Sequence, residues 1–325
     1  MSANKPSKIC PQIGIVIPCF NEAQTLPITM EKLGCELSAL ISQGLVAPDS
    51  QIYFVDDGSS DTSWELIHGF IEKGLPVVGI KLTRNYGHQH ALLAGLMEAR
   101  GDALISMDAD LQDEISLINE MLAAFSRGCE IVYAVRRDRS SDSRFKRWTA
   151  QLHYWLMEKM GVETVANHAD YRLMSRRAVK LLSQYRETNL YLRGIIPHLG
   201  LRTAEVFFDR NERAAGHTKY TFWAMFNLAI KGITSFSVAP LRFISIMGFL
   251  IFTLSLILGG WVLFAVILGD GTVPGWASTV LPMYLLGGFQ LLAIGIVGEY
   301  LGKSYMEVKR RPLYLVEEIL GDSED

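Results

Sequence analysis

This 325-residue sequence has few cysteines and no excess of positive charge. The four cysteines form no CxxC pair and have no histidine-rich spacing around them, so neither a disulfide framework nor a zinc site is expected. The formal net charge is −3, from 31 basic and 34 acidic residues. We therefore expect no nucleic-acid partner, and any recognition of anions has to be local.

Two glycine-rich signatures are also missing. The apolar run 13–17 reads as a first strand, which a dinucleotide-binding fold would follow with a glycine-rich turn and a P-loop enzyme with GxxxxGK[ST]. Instead, the sequence continues with Pro18-Cys19-Phe20-Asn21-Glu22. NAD-dependent enzymes and P-loop NTPases are therefore disfavoured. The N-terminus also has no long apolar run behind Lys5 and Lys8, so no signal peptide is predicted.

Charge is almost absent from one part of the chain. Between residues 243 and 298 the only charged residue is Asp270. The runs 244–268 and 279–298 are each long enough, at about 1.5 Å per residue, to cross a hydrocarbon core of about 30 Å. The loop between them has no Lys or Arg, whereas both flanks do, so the positive-inside rule predicts that both termini face the cytoplasm. A buried hairpin of a large soluble core fits these lengths poorly.

The predicted organisation follows from this change in composition. It comprises a charged domain over 1–220, a juxtamembrane interfacial helix over 221–242, two membrane spans within 243–298 and a cytoplasmic tail over 299–325. Aromatic residues at helical spacing support an interfacial helix lying on a membrane. Packing of the same segment against the charged domain is the alternative.

Short β-branched runs alternate with helix-like segments through the charged domain. Strands are predicted at 13–17, 51–55, 77–82, 103–107 and 130–135, with helices between them. This alternation is typical of an open, mostly parallel α/β sheet. Ligands of such sheets bind beyond the carboxyl ends of the strands, so the loops that follow the strands are the place to look for chemistry.

Paired carboxylates follow two of these strands. Asp108 and Asp110 come directly after the fourth strand at a spacing that turns both to one side, and with Gln112 they offer the oxygen ligands that Mg²⁺ or Mn²⁺ prefers. Two solvated acids at a strand end are the alternative. Asp56 and Asp57 follow the second strand, where one carboxylate could accept hydrogen bonds from a base or a ribose. The alternative there is a turn that caps the next helix.

The loop after the third strand, from Arg84 to His88, could contact ribose or diphosphate. His88 and His90 could form a metal pair, although two histidines at a helix start are more often structural.

Several motifs together resemble the inverting family 2 glycosyltransferases of the GT-A fold. They are Ile17–Glu22, Val55–Ser59, Arg84–Gly87 and Asp108–Gln112. Further motifs resemble the bacterial bactoprenol glucosyltransferases, in the polyprenyl-phosphate group that includes dolichol-phosphate mannose synthase. These are Asp170–Arg176, Arg213–Tyr220, Gly232–Ser237 and Gly298–Lys303. The resemblance covers about residues 12 to 316.

The resemblance implies a GT-A α/β catalytic domain followed by two transmembrane helices. It implies metal-dependent, inverting transfer of a hexose from a UDP-sugar to undecaprenyl phosphate, giving a lipid-linked donor for glycan or O-antigen modification. Glucose is the foremost sugar, and GlcNAc, galactose and mannose from GDP-mannose stay open. The implied nucleotide-sugar contacts are Pro18, Asn21, Glu22, Asp56, Asp57, Arg84, Asn85, Gly87, Asp108 and Ala109.

Catalysis is assigned to Asp110 and Asp170. Asp170 is the matched candidate to orient or deprotonate the acceptor. A structural ion pair of Asp170 with Arg172 or Arg176 is the alternative. Binding of phosphate groups is predicted for the cations Arg136, Arg213 and Lys219, and the guanidinium groups of the two arginines suit bidentate phosphate contacts. Attraction of some of these cations to anionic lipid headgroups is the milder alternative.

The implied setting is the inner (plasma) membrane, crossed twice, with the catalytic domain in the cytoplasm. A lipid bilayer, a homo-tetramer, a small membrane flippase and a downstream transferase are the implied partners. Two other functions compete. A processive polysaccharide synthase would carry a QxxRW motif after the catalytic aspartate and more spans, whereas here Arg147-Trp148 lies before Asp170. A non-catalytic scaffold is disfavoured by the intact carboxylates.

Overall fold

The computed structural model of the chain describes residues 10–110, 114–136, 168–188, 190–208, 239–268 and 276–322. The strands are β1 (Ile13–Cys19), β2 (Gln51–Asp56), β3 (Val77–Leu82), β4 (Ala103–Ser106), β5 (Ile131–Arg136), β6 (His168–Ser175), β7 (Thr203–Phe208) and β8 (Val316–Leu320). The helices are α1 (Leu26–Ser42), α2 (Ser63–Glu72), α3 (His88–Glu98), α4 (Leu117–Ser126), α5 (Arg176–Leu182), α6 (Leu192–Ile195), α7 (Ala239–Leu268) and α8 (Trp276–Lys309), with a 3₁₀ turn at Ile196–Leu199.

The described strands form one eight-stranded sheet in the order β7-β5-β6-β4-β1-β2-β3-β8. Strands β1 to β4 are parallel to their neighbours among themselves, and β5 is parallel to β7. Strand β6 runs antiparallel to β4 and β5, and β8 runs antiparallel to β3. The mixed, mostly parallel α/β sheet predicted from the sequence is therefore confirmed. Its carboxyl edge brings together the loops that follow β1, β2, β3 and β4.

Helices cover the sheet because its strands are apolar on both faces. Every residue of β1 is buried, as expected for a strand with neighbours on both sides and helices above and below. Helix α3 approaches the sheet closely at Gly95, where an added Cβ would lie 2.4 Å from Cγ1 of Val16 and 2.6 Å from Cγ2 of Val55. This close packing fixes the start of α3, with His88 and Gln89, at the carboxyl edge of the sheet.

The chain divides into two compact units. One contains the sheet with helices α1 to α6, and it includes β8. The other contains α7 and α8, helices of 30 and 34 residues that cover both runs predicted as membrane spans. In the described parts of the chain, no helix combines the length and the apolar composition that crossing a membrane demands. Of the predicted interfacial helix over 221–242, residues 221–238 lie outside the described residues, and residues 239–242 form the start of α7.

The C-terminal segment, which was predicted to be a tail, contributes a strand to the sheet. Strand β8 pairs with β3 at the sheet edge, and Lys81 Nζ contacts Glu317 Oε1 at 3.1 Å. The backbone N–H of Thr83 donates to the carbonyl of Leu315 at 3.1 Å, just where the loop after β3 begins. The strand was not predicted, and it supports one of the loops of the candidate site.

Candidate active site

The loop after β1 is tied to the loop after β2. Asn21 adopts a positive φ of 56°, a conformation that asparagine tolerates better than most residues. Its side-chain oxygen accepts hydrogen bonds from the backbone N–H of Ser60 at 2.8 Å and of Asp61 at 3.3 Å. Its own backbone N–H donates to Ser59 Oγ at 2.9 Å. Asn21 and the neighbouring Glu22, both predicted nucleotide-sugar contacts, thus lie at the carboxyl edge, and the Asn21 amide is used to join two loops.

The loop after β2 is in turn tied to the loop after β3 by Asp57. Its two carboxylate oxygens accept from the backbone N–H of Tyr86 at 2.7 Å and of Gly87 at 2.9 Å. Burial raises the pKa of Asp57, and these two N–H groups offset part of the rise. The carboxylate of Asp56 accepts from the backbone N–H of Ser59 at 3.3 Å, a contact within the turn. At the start of α2 the backbone N–H of Ser63 donates to Oδ1 of Asp61 at 3.0 Å, as the alternative of a turn leading into the helix predicts. Both carboxylates therefore shape the loops.

Gly58 is required where these two loops touch. Its φ is +70°, and an added Cβ would lie 2.7 Å from the carbonyl carbon of Arg84 and 2.7 Å from the backbone nitrogen of Asn85. Backbone atoms cannot move aside as the end of a flexible side chain can. In the loop after β3, the Arg84 guanidinium lies 4.2 Å from the centre of the Tyr86 ring, a cation–π distance.

Replacing Gly58 by alanine is expected to lower the free energy of unfolding by about 1–3 kcal/mol, because it adds a steric clash to a strained backbone conformation. Gly44 is a matched control, since its φ is +63° but nothing lies within 4 Å of an added Cβ. Urea unfolding of Gly58→Ala and Gly44→Ala would measure the difference. Equal losses in the two variants would show that the contact with the Arg84–Asn85 backbone does not matter.

Asp108 and Asp110 follow β4 at the same edge of the sheet. Burial raises the pKa of Asp108, the nearby His88 lowers it, and the carboxylates of Asp170 and Asp110 raise it further, with a net rise. Nε2 of His88 lies 3.5 Å from Oδ1 of Asp108. Ala109, between the two acids, is buried, and its carbonyl accepts from Thr29 Oγ1 of α1 at 2.9 Å.

This donor set fits a divalent cation. Two carboxylates repel each other at a buried strand end, and hard oxygen ligands of this kind suit Mg²⁺ or Mn²⁺. The described residues contain no ready-made group of three or more His, Cys, Asp or Glu side chains around a metal position. Gln112, the third predicted ligand, lies outside the described residues.

Asp170 is buried on β6 and its carboxylate is surrounded by donors. Oδ1 accepts from one terminal nitrogen of Arg172 and from Nε of Arg193 at 3.2 Å. Oδ2 accepts from the Nη2 of Arg193 at 3.0 Å and from Nε2 of Gln89 at 3.4 Å. Nε2 of His88 lies 3.5 Å from the same oxygen. Since a carboxylate has about four lone-pair sites, little capacity remains to accept a further proton.

The protonation of Asp170 follows from these contacts. Burial by itself raises the pKa of Asp170, but the hydrogen bond from His88 and the charges of Arg172 and Arg193 outweigh it, so the pKa lies well below its usual range. For His88, burial lowers the pKa, whereas Asp170 and Asp108 raise it, with a net rise. The ion pair with Arg172, one of the alternatives for Asp170, is present. Arg176 instead donates to the backbone carbonyls of Ala99 and Gly101.

Comparison with known proteins identifies the family. The model of the family described as "Glycosyl transferase family 2" matches residues 14–197, more than half of the chain. The chain belongs to glycosyl transferase family 2. The resemblance inferred from the motifs is confirmed, and the protein is a glycosyltransferase.

Relatives of this glycosyltransferase align along nearly their whole length. The chain is 49% identical to the "Uncharacterized glycosyltransferase YkoT" of Bacillus subtilis (strain 168), over 94% of this chain and 91% of the relative. It is 38% identical to the "Prophage bactoprenol glucosyl transferase homolog" of Escherichia coli (strain K12), over 95% and 99%. It is also 38% identical to the "Bactoprenol glucosyl transferase" of Shigella phage SfII, over 94% and 97%.

Two side chains that contact Asp170 in the candidate site, Gln89 and Arg193, were not predicted from the sequence. His88 was considered as a possible substrate contact or metal ligand, and Arg172 as an ion-pair partner of Asp170. Gln89 joins two parts of the site, since its amide nitrogen donates to Asp170 and its oxygen accepts from the backbone N–H of Leu192 at 3.2 Å. The Asp170–Arg172 spacing was the signal for their ion pair, because alternate residues of a strand point to the same face.

Four predicted contacts of the glycosyltransferase lie in β1, at the end of β5, or outside the described residues. Pro18 lies within β1 beside Val55, at the base of the predicted nucleotide-binding loops. Arg136 ends β5, and its side chain is outside the described part of the chain. Arg213 and Lys219 also lie outside the described residues. Phosphate binding by these three cations stays a prediction.

Proposed function

We propose that this glycosyltransferase transfers a hexose, glucose foremost, from a UDP-sugar to polyprenyl phosphate, with inversion at the anomeric carbon. The observation that carries the proposal is the 38% identity, over nearly the full length of both chains, to proteins named bactoprenol glucosyl transferase. The same transfer with GlcNAc, galactose or GDP-mannose remains the alternative for the sugar. The processive synthase and the scaffold stay less favoured.

The three linked loops at the carboxyl edge suit a nucleotide sugar. Asp57 and Gly58 hold the Arg84–Gly87 segment against the loop after β2, so the groups predicted to contact the nucleotide are pre-arranged on rigid strands. Preorganisation of this kind lowers the entropy cost of binding. Arg84 and Asn85 then offer side chains to the ribose or the diphosphate.

The reaction itself is a single displacement. An oxygen of the acceptor phosphate attacks the anomeric carbon, the bond from that carbon to the diphosphate breaks, and UDP leaves with the electron pair. An anionic phosphate needs no strong base, which agrees with a fully hydrogen-bonded Asp170. A divalent cation, held by Asp108 and Asp110, would supply charge stabilisation for the departing diphosphate.

A membrane setting belongs to the proposal because the acceptor is a lipid. Helix α7 exposes large apolar side chains along its length, among them Phe249 at 68% and Trp261 at 67%. The two spans predicted at 244–268 and 279–298, the cytoplasmic orientation, a homo-tetramer, and a flippase and transferase that use the product are kept as further parts of the proposal. The polar loops of the sheet would then work beside a bilayer that holds the acceptor.

The test is a panel of labelled nucleotide sugars supplied with polyprenyl phosphate and the purified full-length chain. We expect UDP-glucose to give a glucosylated lipid and one equivalent of UDP, read by thin-layer chromatography. If only another nucleotide sugar gave lipid product, that sugar would replace glucose as the one transferred. Product chains longer than one sugar would favour the synthase. No lipid product with any UDP- or GDP-sugar, in the presence of Mg²⁺ or Mn²⁺, would contradict the proposal.

A further inference from the structure

Asp170 faces more positive charge than it can neutralise. Two guanidinium groups, those of Arg172 and Arg193, contact this single carboxylate. The side chain of Arg172 is only 1% exposed, and a charge buried so completely requires a partner of opposite sign. The side chain of Arg193 is 39% exposed. Arg172 therefore depends on Asp170 for a partner of opposite charge, and Arg193 is the guanidinium at the open side of the cluster.

The guanidinium of Arg193 also retains binding capacity. It uses Nε and Nη2 on Asp170, and Nη1 makes no hydrogen bond within the described residues. These two hydrogen bonds fix the plane of the guanidinium, whose fork of donors matches the oxygens of a phosphate. Nη2 of Arg193 lies 3.0 Å from Oδ2 of Asp170, and Nε2 of His88 lies 3.5 Å from that oxygen and 3.5 Å from Oδ1 of Asp108, so Arg193 lies near the carboxyl end of β4.

The donors around Asp170 come from three separate elements. His88 and Gln89 come from α3, Arg172 from β6 and Arg193 from α6. Gln89 additionally accepts from the N–H of Leu192, the residue before Arg193, and so holds the start of α6 in place. Asp170 is the point at which these elements meet. A carboxylate that accepts hydrogen bonds from four side chains is suited to aligning them. It is poorly suited to breaking those hydrogen bonds in order to accept a proton during turnover.

We propose that Arg193 binds a phosphate oxygen of a substrate at the reacting centre, and that Asp170 is a positioning residue that holds Arg193 in place. The inference rests on the proposed function, since both substrates named there carry phosphate. The diphosphate of the nucleotide sugar and the monophosphate of the lipid share the chemistry that Arg193 recognises. The experiment separates them.

Binding is measured first, because it does not depend on activity. UDP and farnesyl phosphate are titrated against the full-length chain and against Arg193→Gln, Arg193→Lys and Arg177→Gln. Arg177 is the matched control, since its Nη1 lies 2.6 Å from Oε1 of Glu130, in a pair formed at the start of β5 and away from the carboxyl edge. We expect Arg193→Gln to weaken binding of one of the two ligands at least about tenfold, as the loss of a charge-assisted hydrogen bond predicts. Arg177→Gln should bind both normally.

The ligand that is affected identifies the substrate that Arg193 contacts. Kinetics should then show an increase of about tenfold or more in KM for that substrate with Arg193→Gln, and partial recovery with Arg193→Lys, which restores the charge without the fork. Binding of both ligands within about twofold of the unaltered chain by Arg193→Gln would overturn the inference. If the unaltered chain transfers no sugar, the proposed function fails, and the binding measurement still decides the role of Arg193.

Discussion

Replacing Asp108 and Asp110 together by asparagine is expected to abolish sugar transfer and to leave the fold intact. The two carboxylates lie at the carboxyl end of β4, where the predicted cation would meet the leaving diphosphate. Removing that charge stabilisation is expected to slow transfer at least about 10³-fold. The double variant should also lose binding of Mn²⁺, which isothermal calorimetry would measure independently of turnover.

The stability of this double variant makes the prediction sharper. Burial and the carboxylates of Asp170 and Asp110 raise the pKa of Asp108, so its negative charge is unfavourable in the folded chain. The Asp108→Asn/Asp110→Asn variant should therefore unfold at the same temperature as the unaltered chain or at a higher one. Asp102→Asn is the control for loss of an aspartate charge away from the site. Asp102 lies at the opposite end of β4, where its carboxylate accepts a hydrogen bond from the backbone N–H of Gln12. Unchanged transfer in the double variant would remove the case for a cation at this position.

The central part of the sheet could be predicted because its strands are continuous apolar runs. Strands β1 to β4 are buried on both faces, and burial of that kind leaves a signal in the sequence that needs no knowledge of neighbours. Strand β6 breaks the pattern, since Asp170 and Arg172 are polar side chains inside a buried strand. Their burial is possible because they pair with each other and because Asp170 also pairs with Arg193. Pairing of this kind is invisible to a count of apolar residues.

Strand β8 and Arg193 were missed for a different reason. The sequence Val316-Glu-Glu-Ile-Leu320 is too polar to stand out, and its partner β3 is more than two hundred residues away, as the Lys81–Glu317 separation of 236 shows. Arg193 lies in a helix of four residues, too short to leave a periodic pattern. Both depend on tertiary contacts, whereas the place of Asp56, Asp57, Asp108 and Asp110 at one edge of the sheet could be predicted because a strand end fixes their position.

Replacing Asp170 by asparagine is expected to destabilise the sheet domain by about 3–5 kcal/mol. The substitution keeps the size of the side chain but removes the negative charge that compensates Arg172. Nε and Nη1 of Arg172 are buried without a hydrogen-bond partner in the described structure, so Asp170 provides most of the compensation for that buried cation. Urea unfolding of the full-length chain, followed by circular dichroism, would measure the loss.

A second substitution separates the charge of Asp170 from its other contacts. Adding Arg172→Met to Asp170→Asn removes the uncompensated cation and replaces it with an apolar side chain of similar length, so most of the lost stability should return. Transfer activity should not return with it, because Arg193 has then lost the carboxylate that orients it. If the double variant were no more stable than Asp170→Asn alone, the buried pair would not be the source of the loss. If activity recovered along with stability, Asp170 would act only through the fold, and the orientation of Arg193 would need another cause.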